Sequence, residues 1–107
     1  EMIEAALPDT TVIGFTTPQD AEAYLLNNKP AGIVCDIKMP DFNGMMFLRN
    51  LELTHTMIHP FIFYSGYMSE WKDQIAELKK SGTVDGFIEK PNNGELVNFL
   101  KKWYKVT

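Results

Sequence analysis

The chain has 107 residues, 45% of them hydrophobic and 22% charged, which fits one globular domain (residues 1–107) and leaves little room for a second. The formal net charge is −4 and the ten Lys and Arg residues are scattered, so neither the balance nor its pattern suits direct nucleic-acid binding. No apolar run is long enough to span a bilayer, the start Glu1-Met2-Ile3-Glu4 is acidic where a signal peptide is basic, and Cys35 has no second cysteine to pair with, so a cytoplasmic setting is expected.

Apolar runs alternate with amphipathic stretches, the pattern of an α/β domain with a parallel sheet. Met2 to Leu7 suits the end of a helix. Thr11-Val12-Ile13-Gly14-Phe15-Thr16 is rich in β-branched residues and predicts a strand. Thr17 then suits an N-cap and Pro18 a first helical position, and Ala21, Tyr24 and Leu25 recur at helical spacing up to Asn27-Asn28-Lys29-Pro30. Ala31 to Ile37 is nearly continuous in apolar residues and predicts a strand buried on both faces. Met39-Pro40-Asp41-Phe42-Asn43-Gly44 is loop chemistry, and Met45, Leu48 and Leu51 open a helical stripe. Phe61 to Tyr64 predicts another buried strand, closed by Ser65-Gly66. Ser69 can cap the next helix, with Glu70 in its first turn, Trp71, Ile75 and Leu78 on its apolar face and Gly82 placed to end it. Val84 to Glu89 predicts the last strand, broken by Lys90-Pro91. Asn92 or Asn93 can cap a final helix whose Leu96, Phe99, Leu100 and Trp103 face the core.

Polar residues at the ends of buried strands carry the chemical signal, because open parallel sheets place their sites at the carboxyl ends of the strands. Asp36, Ser65 and Lys90 stand at three successive strand ends. Taken singly, a strand-end Asp or Ser is more often a cap or a turn residue, and a Lys before Pro is usually solvated. Together, a carboxylate nucleophile, a hydroxyl donor and a fixed cation suit phosphoryl transfer, where positioning and charge stabilisation do most of the work.

The segment Ile33-Val34-Cys35-Asp36-Ile37-Lys38-Met39-Pro40-Asp41-Phe42-Asn43-Gly44 resembles the phosphorylation loop of response-regulator receiver domains. Phe61 to Gly66 is similar to that family's next strand, which ends in Ser or Thr, and Phe87-Ile88-Glu89-Lys90-Pro91 to its last strand with the Lys-Pro pair. The resemblance implies a flavodoxin-like, doubly wound parallel sheet of strand order 2-1-3-4-5. It implies Asp36 as phosphoacceptor, Lys90 as counter-ion, Ser65 as the hydroxyl that moves toward the phosphoryl group and Phe87 as the aromatic that swings inward with it. It further implies a cis bond between Lys90 and Pro91, and Mg²⁺ held by Asp36 and the backbone carbonyl of Lys38. A histidine kinase or histidine phosphotransfer domain would be the donor. An output or partner protein would read the face formed by Ser69–Leu78, Val84–Glu89 and Asn93–Tyr104.

The family also carries an acidic metal-holding pair at the end of a first strand. By this register that strand lies upstream of Glu1, and Glu1 and Glu4 fall near the far end of the helix that follows it. Mg²⁺ binding is therefore expected to be weak or absent in this chain without the pair. The place beside Thr11–Thr16 would then be closed by pairing with Ala31–Ile37 or by a donated segment. Two rival readings use the same residues. A receiver-like module acting only through protein–protein contacts would dispense with phosphate. A phosphatase of the haloacid dehalogenase type would use Asp36 as nucleophile, but it needs a second Asp where Lys38 stands. His55 and His59 have a spacing that suits a metal pair, though they flank a loop before Pro60. Cys35 reads as a small core hydrophobe.

Overall fold

The computed structural model describes residues 7, 9–39, 42–66 and 71–105. The elements in chain order are α1 (Pro18–Leu25), β1 (Ile33–Cys35), β2 (Lys38–Met39), β3 (Phe42–Asn43), α2 (Gly44–Leu53), β4 (Phe61–Ser65), α3 (Lys72–Lys80), β5 (Gly86–Glu89) and α4 (Asn93–Tyr104). β1, β4 and β5 form a parallel sheet in the order β1-β4-β5, and β2 and β3 form a separate two-residue antiparallel ribbon. This is the α/β, flavodoxin-like arrangement, with helices on both faces.

The apolar runs form strands because each strand position alternates between two covered faces. Phe61, Phe63 and Cys35 pack with Phe47, Leu48 and Leu51 of α2, Ile75 of α3 and Leu25 of α1. Ile62 and Ile88 point the other way, onto Leu96 and Leu100 of α4 and onto Leu7. β4 lies in the centre, so Phe61, Ile62 and Phe63 are all fully buried. Each such side chain contributes roughly 1.5–3 kcal/mol by burial, against about 0–1 kcal/mol for an exposed ion pair. The sheet therefore holds the strand ends in place, and the charges at those ends are carried by it.

Helix ends follow the local chemistry in part. Thr17 caps α1, its Oγ1 accepting from the Asp20 amide at 3.3 Å, with Pro18 at the start of the helix. α3 carries Asp73 in its first turn and Lys79 and Lys80 in its last, each favouring its end of the helix dipole. Gly82 follows at φ +83, a conformation open to glycine, and its amide donates to the Lys79 carbonyl. Ser69 and Glu70 lie outside the described residues, as do Met2 to Ala6, Pro40 and Asp41.

Four expectations are corrected. Thr11–Thr16 is not a strand, because a β-rich sequence becomes one only when a neighbour supplies the ladder, and no described strand lies beside it. The strand expected over Ala31–Ile37 is confined to Ile33–Cys35, and Val34 is 40% exposed. α4 covers Ile62 and Ile88 on that face, and its Tyr104 hydroxyl donates to the Ala31 carbonyl ahead of β1. The stretch expected as loop from Met39 to Gly44 instead pairs Lys38 with Asn43 and Met39 with Phe42, and α2 starts at once. Trp103 does not face the core; it is 42% exposed and stacks on Phe99 at 6.2 Å.

Candidate functional site at the carboxyl end of the sheet

The register explains which side chains meet. Val34 is level with Ile62, Cys35 with Phe63, and Tyr64 with Ile88. Continuing this alternation one residue past the paired stretch puts Asp36, Tyr64 and Lys90 on one face and Ser65 on the other. Lys90 completes the pattern: its amide donates to the Ser65 carbonyl at 3.0 Å, extending the β4–β5 ladder by one step. Its Nζ then reaches Asp36 Oδ2 at 2.9 Å. The Lys90–Pro91 peptide bond is cis, as the motif implies.

The pair sits at the surface, with the Lys90 and Asp36 side chains 43% and 34% exposed. Its strength as a stabilising contact is correspondingly small. Its geometry matters more: a carboxylate oxygen at a strand end is open to a reaction partner and has a fixed positive charge beside it. The adjacent Cys35 is a poor rival nucleophile. Burial, and then the neighbouring Asp36 carboxylate, push its thiol up to about 12, so the reactive thiolate is not formed near neutrality.

Gly44 shapes the loop that follows Asp36. A Cβ there would stand 2.6 Å from the Asp36 carbonyl oxygen and 2.9 Å from the Ile37 Cα, so only glycine lets the chain return so closely. The Gly44 amide donates to the Ile37 carbonyl and closes the loop at its base. The sequence motif contains this glycine; the reason for it is the contact.

The other expected residues are distributed as follows. Ser65 ends β4 next to Lys90 and is fully buried, and alternation along β4 sets it on the face opposite Tyr64. Phe87 lies on the same face as Phe63 and Ser65, 39% exposed, with Lys79 Nζ over its ring at 5.4 Å. Lys38 lies in β2, two residues past Asp36. Among the described residues no three His, Cys, Asp or Glu side chains gather where they could hold a metal ion. One carboxylate already bonded to an ammonium does not fit a Mg²⁺ centre by itself. His59 pairs with Asp85 at the other end of the sheet and not with His55. No helix among the described residues is long and apolar enough to cross a membrane.

One residue absent from the sequence-based set belongs here. Tyr64 packs its ring beneath Lys90, with Nζ 5.5 Å from the ring centroid, and its hydroxyl accepts from the Asn92 amide at 3.0 Å and donates to the Asn93 side-chain oxygen. The available signal was a polar-tipped aromatic closing an apolar strand, since a buried Tyr usually finds a partner for its hydroxyl.

The family described as the response regulator receiver domain matches residues 2–101. Over 85 residues the chain is 34% identical to a protein-glutamate methylesterase/protein-glutamine glutaminase of a group 3 operon from Rhodopseudomonas palustris, a match covering 78% of this chain and 23% of that protein. The chain thus spans about a quarter of that relative's length. In structure it is similar to a signal receiver domain from Vibrio parahaemolyticus, with TM-score 0.78, 23% identity, and 97% of this chain and 79% of that one covered. It is also similar to the receiver domain of a Francisella response regulator, with TM-score 0.72, 25% identity, and coverage of 96% and 84%.

Proposed function

Since the chain belongs to the response regulator receiver domain family, we propose that Asp36 is the group through which it takes part in a two-component phosphorelay. Domains of this family are phosphoacceptor signalling modules, generally without enzymatic activity of their own. They exchange phosphoryl groups with histidine kinases or phosphotransfer proteins, act on output domains, and use Mg²⁺ in phosphorylation. The methylesterase activity in the relative's name is said of that whole protein and is not carried over to these 107 residues.

The observation that carries the reading is the carboxylate of Asp36 at a strand end with the Lys90 ammonium 2.9 Å away. On this reading an Asp36 carboxylate oxygen attacks the phosphorus of a phosphohistidine donor. The new P–O bond forms as the P–N bond breaks, and the electron pair stays on the donor's imidazole nitrogen. Lys90 offsets charge on the transferred oxygens. An aspartyl phosphate adds roughly −1.5 to −2 charge, more than one ammonium balances. The remainder falls to Mg²⁺, which residues 1–107 bind weakly or not at all without an upstream acidic pair. Asp36 and the Lys38 carbonyl are the groups on this chain that would face it.

Ser65 and Phe87 share a face, so a shift of Ser65 toward a phosphoryl group opens room for Phe87 to follow. The signal then passes to a partner on the surface around residues 69–78, Val84–Glu89 and Asn93–Tyr104, where Phe87, Trp103 and Tyr104 are exposed. The setting is cytoplasmic and the partner is a protein, with neither nucleic acid nor membrane bound directly.

The test is phosphoryl incorporation from acetyl phosphate, followed by intact mass with and without Mg²⁺. The expected result is slow or absent labelling of residues 1–107, and fast Mg²⁺-dependent labelling once a strand bearing an acidic pair is added upstream. Failure of the extended chain to label would overturn the phosphoacceptor reading.

A further inference from the structure

Lys90 is useful at the site only if its long, flexible side chain points at Asp36, and nothing in a solvated lysine ensures that. A Lys side chain gives up much rotamer freedom when held in one direction. Lys90 also lies past the last paired residue of β5, in the turn that leads to α4. Something has to fix both the turn and the side chain.

Tyr64 meets both needs. We propose that it is the positioning residue of this site, holding the Lys90 ammonium against Asp36 from beneath and from behind. The proposal rests on the reading of Asp36 as acceptor and adds to it a residue that touches neither phosphate nor donor.

The geometry gives Tyr64 two separate handles. Its hydroxyl accepts from the Asn92 amide at 3.0 Å and donates to the Asn93 side-chain oxygen, which ties the end of β4 to the turn carrying Lys90 and Pro91. Asn92 is the residue before α4, and the tyrosine hydroxyl takes its amide, one of the helix-start donors that no carbonyl within the helix reaches. The second handle is the ring face, which lies 5.5 Å from Lys90 Nζ while the same nitrogen is 2.9 Å from Asp36 Oδ2. A ring face attracts a cation within about 6 Å. The ammonium is thus held between a π-face and a carboxylate. Tyr64 is half-buried against the cluster of Ile62, Ile88, Leu96 and Leu100, so its ring is fixed by the sheet and α4 before Lys90 arrives.

Two substitutions separate the handles. Tyr64→Phe keeps the ring and removes the hydroxyl, and Tyr64→Leu removes both. Acetyl phosphate labelling of Asp36 in the chain extended by an upstream acidic pair, measured by intact mass, is expected to slow roughly three- to tenfold in Tyr64→Phe. It should slow further in Tyr64→Leu. The two changes are repeated in a Lys90→Ala background, where a residue that acts through Lys90 has nothing left to position. There the Tyr64 substitutions should no longer change the rate. Rate losses of equal size in both backgrounds would overturn the proposal and leave Tyr64 as ordinary packing.

A second readout needs no phosphorylation. Side-chain NMR relaxation of Lys90 and hydrogen exchange of the Asn92 amide are compared between the parent chain and Tyr64→Phe. Faster Asn92 exchange with a more mobile Lys90 side chain supports the proposal. Unchanged Lys90 mobility in both Tyr64 variants overturns it, whatever the labelling shows. If the chain extended by an upstream acidic pair does not label while these two signals shift as expected, the acceptor reading has failed and the positioning role stands.

Discussion

The two ends of the sheet each carry a cation–carboxylate pair, and the two pairs are built differently. At the amino end, His59 Nδ1 lies 2.7 Å from Asp85 Oδ2, and the same oxygen accepts from the Phe61 amide at 2.9 Å. The Asp85 amide donates in turn to the Phe61 carbonyl at 2.9 Å, so this carboxylate is part of the start of the β4–β5 pairing. Its side chain is 14% exposed. At the carboxyl end, Asp36 is 34% exposed and bonds the side chain of Lys90, itself 43% exposed. Distance does not separate the two pairs. Burial does: Asp85 is tied into the start of the β4–β5 pairing as a brace, while Asp36 stays open to a reagent. A site of chemistry is placed where the fold depends on it least.

The sharpest break of this comparison is Asp36→Asn. It should abolish labelling by acetyl phosphate in any chain that labels, while shifting the urea stability by no more than about 1 kcal/mol. Residual labelling at a different residue, mapped by peptide mass, would move the acceptor elsewhere. Next comes Lys90→Ala, which should slow labelling by roughly tenfold to a thousandfold, since it removes a fixed charge aimed at the transferred oxygens. Its effect on stability should again be within about 1 kcal/mol. A large loss of stability here would mean that the exposed pair is a brace after all.

The opposite outcome is expected at the other end. Asp85→Ala leaves the Phe61 amide without its side-chain acceptor and should cost about 1–3 kcal/mol in urea unfolding, with the labelling rate of the folded protein unchanged. A further effect is alkaline. Folding raises the Cys35 pKa from 9.0 to about 12, and burial also raises that of Tyr104 from 10.0. Below about pH 9 folded and unfolded chains hold the same thiol proton. Between about 9 and 12 the unfolded chain loses it first, so stability falls as pH rises. Cys35→Ala should flatten that fall, read as urea midpoints at about pH 8 and about pH 11; an identical slope in the variant would assign the loss to Tyr104 or to other groups.

Much of the site was legible because strand-end position and residue type are both written locally. The runs around Asp36, Ser65 and Lys90 are apolar, short and followed by breakers, which places all three at one sheet edge. Which face each side chain takes depends on register, and register is a property of pairs of strands. That is why the sequence does not reveal that Tyr64, one residue before Ser65, lies on the Asp36 side. Thr11–Thr16 shows the same limit more plainly: its β-branched residues state a preference that only a neighbouring strand can realise. Trp103 was read as core from helical spacing, but spacing does not reveal where the underlying sheet stops. Gly44 was legible as a motif letter and illegible as a contact, because the atoms it must avoid belong to residues earlier in the chain.

That contact at Gly44 has a consequence for anyone who would re-engineer the loop. The bond from its amide to the Ile37 carbonyl pins the base of the loop, next to the Lys38–Asn43 and Met39–Phe42 pairs. With the base pinned in this way, a graft inserted after Met39 should leave the acceptor where it is. The base has no such latitude. A single methyl group at position 44 would press on the Asp36 carbonyl from 2.6 Å. New specificity can thus be written into this loop from its outer end inward, stopping short of the glycine.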